Sequence, residues 1–214
     1  FPEPTKWSEL LKAVKTIDEK EEGVNGVIFR GSKGNPIVTG FLPIFWAYGG
    51  KIIDDAGNVT VNSKEALNAL KYFLEISKYA PDGVSMYQSA QVKDAVYTGT
   101  AAVATEVWPG WINQLENPEV SKVVGKVKVI KHPGEVENMQ VKLAETTGNP
   151  PTREKPYTIP SLQEKYPWYP AQLDALKNGV ARTRSTGWKQ IEDKLGTALQ
   201  FALIGDLTAE EALI

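Results

Sequence analysis

The first segment of the chain spaces its apolar residues with the period of an amphipathic helix. These apolar positions are Trp7, Leu10, Leu11, Val14 and Ile17. Thr5 precedes them and has a side chain that can cap a helix, so we expect a helix to begin there. The short apolar run from Val24 to Arg30 then predicts a strand.

The middle of the chain combines a buried helix with a strand that leads into an aromatic segment. Phe41 to Tyr48 is continuously apolar, which predicts a buried helix in which Trp46 belongs to the core. Ser63 caps a predicted helix that runs to about Ala80, and Gln88 to Thr98 predicts another. A strand is expected from Ala101 onward.

Short elements fill the rest of the predicted fold. The loop from Gly31 to Pro36 lacks the glycine spacing and Lys-Ser/Thr ending of a phosphate loop. The later predictions are a hairpin turn at 54–58, a short helix from Pro109, a strand over 126–130, and helices over 136–147, 160–166, 170–178 and 188–203. This order predicts an α/β fold, with a small mixed sheet surrounded by many helices.

Composition and charge exclude several classes of function. The chain has 214 residues, 42% of them hydrophobic, and a formal net charge of -2 from 24 basic and 26 acidic residues. No basic run exists, so no nucleic-acid partner is expected. With no cysteine and one histidine, His132, neither a metal site nor another cofactor is predicted. No apolar run is long enough for membrane insertion.

The segment Trp108-Pro109-Gly110-Trp111 follows the strand that ends near Glu106. Sugars have apolar C–H faces and a rim of hydroxyl groups, so a sugar site needs aromatic planes beside charged or amide groups. This segment offers both, at the strand end where open α/β sheets place their ligands. Two indoles beside a strand are equally compatible with a place in the core.

Five segments in order resemble the sugar-binding subunits of bacterial ABC importers, the maltose/trehalose type of extracellular solute-binding protein. The segments are 41–50, 108–111, 148–153, 182–184 and 205–213. The resemblance implies the periplasmic-binding-protein-like II fold, with two α/β lobes that clamp a mono- or oligosaccharide and a closed form that docks on a membrane permease. It also implies a periplasmic or extracellular location.

The resemblance covers one lobe only. The first lobe of such proteins would precede Phe1, and the crossover into it would fall between Pro133 and Val136, where only Gly134-Glu135 stand. We therefore expect residues 1–214 to form a single second lobe, with an excision junction near 134–136. One wall of a cleft leaves sugar hydroxyls in competition with water, so millimolar or weaker affinity is expected.

The resemblance also directs the choice of ligand-binding residues. It implies that Trp108 stacks on the sugar and that an arginine near 182–184 reaches it, with Arg184 as first choice and Arg182 beside it. The remaining candidates, in decreasing order, are Glu106 and Trp111, then Arg153 and Asn149.

Two other classes of function remain open from the sequence. A glycosidase would pair Glu106 with a second acid, for which Glu192 and Asp193 are candidates. Alternatively, an exposed aromatic strip would make the chain an interaction module that docks a permease or self-associates.

Overall fold

The structure of the chain is a computed structural model that describes residues 3–54, 56–130, 132–134, 155–158, 160–165, 167–179 and 187–213. The described helices are α1 (Trp7–Lys20), α2 (Asn35–Ala47), α3 (Lys64–Ser77), α4 (Ser89–Thr98), α5 (Pro109–Leu115), α6 (Pro160–Lys165), α7 (Tyr169–Asn178) and α8 (Trp188–Leu203). The described strands are β1 (Asn25–Ile28) and β2 (Ala101–Ala104), and short 3-10 turns cover Val84–Met86, Lys155–Thr158 and Glu211–Leu213.

The sheet in the described part of the chain consists of β1 and β2 in parallel pairing. Val27 lies opposite Val103, and Ile28 lies opposite Ala104. Both strands therefore end at the same edge, and the residues that follow them are brought side by side. The predicted α/β class with a small sheet among many helices is confirmed.

Two hydrophobic clusters hold the elements together. The larger cluster joins α1, α2, α3 and α8, and it buries every residue of α2 from Ile37 to Ala47. Trp46 belongs to this core, as its apolar surroundings in the sequence predict. The smaller cluster packs α4 and α5 against the sheet through Ile28, Val92, Val96, Ile112 and Leu115.

Helices α2 and α8 approach each other closely at the start of α2. A Cβ placed on Gly196 would lie 2.7 Å from the backbone nitrogen and Cα of Gly34, so only glycine fits in this part of α8. One turn earlier on α8, the Glu192 carboxylate accepts a hydrogen bond of 2.8 Å from the Asn35 side-chain amide. These contacts fix α8 relative to α2.

The predicted start of α3 and end of α4 agree with the structure, whereas the predicted Thr5 cap of α1 is wrong. Lys6 holds the N-cap position of α1, and the Thr5 hydroxyl donates to the Glu9 carboxylate. The Glu9 carboxylate accepts hydrogen bonds from the backbone amides of Thr5 and Lys6, just before α1. Ser63 Oγ accepts from the Ala66 amide at the start of α3. Gly99 ends α4 with φ of 74°, a conformation that favours glycine.

Two local predictions are wrong. The loop predicted over 31–36 ends early, because α2 already begins at Asn35 with a proline in its first turn. The strand predicted over 126–130 does not form, since no described strand pairs with this segment. Val127 is exposed, and Lys128 forms an ion pair with Glu3. The helix predicted over 136–147 lies outside the described residues.

Candidate functional site

The candidate site lies where the two parallel strands end. Arg30 stands two residues after β1, and Glu106 stands two residues after β2. Since Ile28 and Ala104 are register partners, Arg30 and Glu106 reach the same level of the sheet edge. Trp108 follows Glu106 by two residues and immediately precedes α5. This edge is where open α/β sheets bind their ligands.

Arg30 and Glu106 form a buried ion pair. Arg30 Nε donates to Glu106 Oε2 over 2.6 Å, and Arg30 Nη2 lies 3.3 Å from Glu106 Oε1. The same Nη2 also donates to Thr39 Oγ1 of α2 at 2.6 Å. The Glu106 side chain is 6% exposed and the Arg30 side chain 16%. The cluster of Arg30, Thr39 and Glu106 therefore connects both strand ends to α2.

Burial dominates the electrostatics of this cluster. Removal from water raises the pKa of the Glu106 carboxyl above its ordinary value, and the hydrogen bond and charge of Arg30 oppose that rise. Both carboxylate oxygens already accept hydrogen bonds from Arg30. Glu106 thus lies behind the surface of the candidate site.

Trp108 presents its indole at the surface. Its side chain belongs to the exposed large hydrophobic residues, at 46% exposure. Pro109 restricts the backbone at the first position of α5, and the Trp111 amide donates to the Trp108 carbonyl over 2.8 Å. The indole projects from a turn that is held on both sides, which suits a stacking platform.

Trp111 has a different environment. It is half-buried and packs against the smaller hydrophobic cluster. Its backbone carbonyl accepts a hydrogen bond from the Tyr97 hydroxyl, which ties α5 to α4. Trp111 supports the turn that carries Trp108 and keeps part of its own surface open.

The other predicted site residues are divided between α8 and undescribed parts of the chain. Asn149, Arg153, Arg182 and Arg184 lie outside the described residues, as do positions 135 and 136 of the expected junction. On α8, Glu192 is half-buried and its carboxylate accepts a hydrogen bond from the Asn35 side-chain amide, whereas Asp193 is exposed. The structure brings Glu106, Trp108 and Trp111 to one edge of the sheet.

Sequence reasoning missed Arg30 and Thr39. The sequence places Arg30 at the end of the predicted strand, and a charged side chain after the apolar run Val27-Ile28-Phe29 has to be paired if it is buried. Thr39 stands out as a hydroxyl-bearing residue in the otherwise apolar stretch from Ile37 to Ala47. These two features of the sequence are the signals from which a buried polar contact could have been predicted.

The described residues contain no cluster of three or more histidine or acidic side chains that could hold a metal ion. No helix among them has both the length and the apolar character required to cross a membrane.

Comparison with known proteins identifies the family of this chain. Residues 1–137 match the model of the family described as bacterial extracellular solute-binding protein. The match covers more than half of the chain, so the protein belongs to this family and the resemblance seen in its sequence motifs is confirmed. A probable ABC transporter-binding protein of Deinococcus radiodurans is 27% identical over 136 residues, which are 61% of this chain and 32% of that relative.

Solved structures agree on the fold. The maltose-bound MalE3 protein of T. maritima aligns with a TM-score of 0.85 and 24% identity, over 99% of this chain and 63% of that one. An ABC transporter solute-binding protein of Agrobacterium radiobacter in complex with ribitol gives 0.84 and 21%, over 100% and 63%. A further one from Agrobacterium vitis with bound D-mannitol gives 0.82 and 17%, over 100% and 64%. The chain therefore spans less than two thirds of each of these proteins.

Proposed function

We propose that this chain forms one wall of a carbohydrate- or polyol-binding cleft, with the Trp108 indole as its stacking platform. The observation that carries the proposal is the exposed indole at the carboxyl ends of two parallel strands, held by the turn into α5. The ligands named for the similar structures, maltose, ribitol and D-mannitol, are all neutral polyhydroxyl compounds. Such ligands combine apolar faces with hydroxyl groups, and an indole binds the former.

The remaining contacts of this proposed wall come from the predicted polar residues. Arg184 is the first candidate for the sugar hydroxyls, with Arg182 beside it, and Arg153 and Asn149 are further candidates. Trp111 contributes its open surface next to Trp108. Guanidinium and amide groups suit this role because each presents several hydrogen-bond donors to a hydroxyl rim.

The proposal includes a limit on affinity. We infer that residues 1–214 correspond to the second lobe of a two-lobe protein with a junction near 134–136, and the share of the similar structures that the chain spans supports this. A single wall buries less of the ligand than a closed cleft, which covers about 70–90% of a small ligand. The expected dissociation constant for a sugar is therefore millimolar or weaker.

In the cell, the whole protein would deliver its ligand to an ABC permease from a periplasmic or extracellular location. Membership of the extracellular solute-binding family supports this proposal. Catalysis is not part of it. Glu106, the acid considered for a glycosidase, has both carboxylate oxygens engaged by Arg30, which leaves it unsuited to protonate a glycosidic oxygen.

Titration with maltose, trehalose and glucose tests the proposal. Calorimetry combined with nuclear magnetic resonance of the indole N–H signals covers both tight and weak binding. We expect millimolar or weaker binding that shifts the Trp108 signal, which comparison with Trp108→Phe assigns. Micromolar binding by the monomer would contradict the single-wall interpretation, and saturable binding that never perturbs Trp108 would contradict its role as platform.

A further inference from the structure

The buried cluster of Arg30, Thr39 and Glu106 is unusual because it places a full ion pair behind an apolar platform. Burying two charges costs desolvation energy that their attraction only partly repays, so a buried pair is weak evidence for stability. Such pairs are better explained where they fix one geometry among several.

The contacts of the cluster hold the side chain of Glu106, two residues before Trp108. Glu106 is held by two hydrogen bonds from Arg30, which extends from the end of β1. The guanidinium is fixed in turn by Thr39, whose hydroxyl lies 2.9 Å from the carbonyls of Asn35 and Pro36 and donates within α2. These hydrogen bonds connect Glu106 to the end of β1 and to α2, two elements that are distant from it in the sequence.

Both chain neighbours of Trp108 are held as well. Val107, between Glu106 and Trp108, packs into the smaller hydrophobic cluster, and Pro109, on the other side of Trp108, begins α5 with a restricted backbone. Trp108 therefore stands between two residues whose positions the fold restricts. Because Glu106 and Trp108 are only two positions apart, a displacement of Glu106 should also displace the indole of Trp108.

We propose that Arg30 and Glu106, supported by Thr39, are positioning residues that set the Trp108 indole for ligand without contacting the ligand. The ligand half of this proposal rests on the function proposed above, whereas the positioning of the indole is testable in the free protein. The charge on Glu106 matters here because the two carboxylate oxygens accept from two different nitrogens of the Arg30 guanidinium.

The indole N–H signals of the six tryptophans provide the readout. In the free protein, Glu106→Gln should move the Trp108 signal and leave those of the buried Trp7 and Trp46 in place, which also reports that the core is folded. Maltose affinity, measured through the same signals, should weaken about two-fold, which corresponds to loss of part of an aromatic contact. The matched control is Lys71→Met, which removes an exposed ion pair to Glu210 and should change neither quantity.

Thr39→Val keeps both charged partners and removes one support of the guanidinium, so it tests the proposal if Glu106→Gln does not fold. It should shift the Trp108 signal in the same direction by a smaller amount. An unchanged Trp108 signal and unchanged maltose affinity in a folded variant of either kind would overturn the proposal. If the parent chain shows no maltose effect on Trp108 while the free-protein shifts occur, the positioning stands and the proposed function fails.

Discussion

Gly110 lies directly against the pyrrole edge of the Trp108 indole. A Cβ built on Gly110 would lie 3.3 Å from Cδ1 and 3.6 Å from Nε1 of Trp108. The first of these distances is tighter than ordinary van der Waals contact, so the indole would have to move by a few tenths of an ångström. The absence of a side chain at position 110 thus allows the indole to rest close to the first turn of α5.

Gly110→Ala should therefore change ligand binding without loss of stability. An alanine in the first turn of a helix stabilises the fold by about 0.4–1 kcal/mol where the backbone accepts it, while the displaced indole should bind sugar less well. Indole N–H signals and chemical denaturation measure the two effects. In the Trp108→Ala background the same substitution should have no further effect on binding, and a full additional loss there would contradict the contact.

Trp108→Ala should abolish most of the sugar response while leaving the fold intact. Stacking on an exposed aromatic side chain contributes on the order of 1 kcal/mol to the binding free energy, in addition to the contribution of the apolar surface it buries. This corresponds to roughly a five-fold change in affinity. Because the indole is 46% exposed, its removal leaves no large cavity. Phe201→Ala is the matched control, since Phe201 is 42% exposed on α8. Equal losses for both variants in a sugar titration would show that the effect is not specific to Trp108.

The parts of the fold that the sequence predicts best are those set by local chemistry. The period of α1, the Ser63 cap and the Gly99 stop depend on neighbours within one helical turn, and each agrees with the structure. The segment 126–130 shows the limit, because alternating residues form a strand only if another strand is free to pair with them.

The candidate site shows the same division. From its place after a strand, Trp108 could have been core or surface; the family resemblance favoured the surface, where the structure has it. The partner of Glu106 was not predicted, because Arg30 lies 76 residues earlier in the chain and meets it only through the parallel register of β1 and β2. The resemblance thus directed attention to Trp108, while the long-range pairing that surrounds Glu106 could be seen only in the structure.

His132 should make the stability of the chain depend on pH in a defined window. Burial against Trp7 lowers the pKa of His132 to about 4, whereas an unfolded chain titrates near 6.5. Well above pH 6.5 the His132 imidazole is neutral in both the folded and the unfolded chain. Between about 6.5 and 4 only the unfolded chain takes up the proton, so stability falls as the pH falls.

Between pH 7 and pH 5 we expect a loss on the order of 1 kcal/mol in the free energy of unfolding from this half-buried histidine. Chemical denaturation at several pH values measures it. His132 is the only histidine in the chain, so His132→Gln should remove the loss of stability that this side chain causes in this range, while the opposite slope from the raised pKa of Glu106 stays in both proteins. Carboxylates with lowered pKa values, such as Glu9 and Asp54, act below this range. A slope that persists unchanged in His132→Gln would contradict the assignment.

Gly196→Ala should destabilise the chain by separating α8 from α2. The added methyl group would lie 2.7 Å from two backbone atoms of Gly34, and backbone cannot rotate aside as a side chain can. Overpacking of this kind costs about 1–3 kcal/mol, more than the gain in helix propensity of about 1 kcal/mol from replacing glycine.

Chemical denaturation against the neighbouring variant Thr197→Ala separates the clash from a general effect of substitution in α8. Thr197 donates its hydroxyl to the Asp193 carbonyl within the helix, so its replacement should change stability by less than about 1 kcal/mol. Because α8 also holds Glu192 on the Asn35 amide, a double variant of Gly196→Ala with Asn35→Ala should lose less than the sum of the two single losses. Additive losses would show that the glycine contact and the Asn35 hydrogen bond act independently.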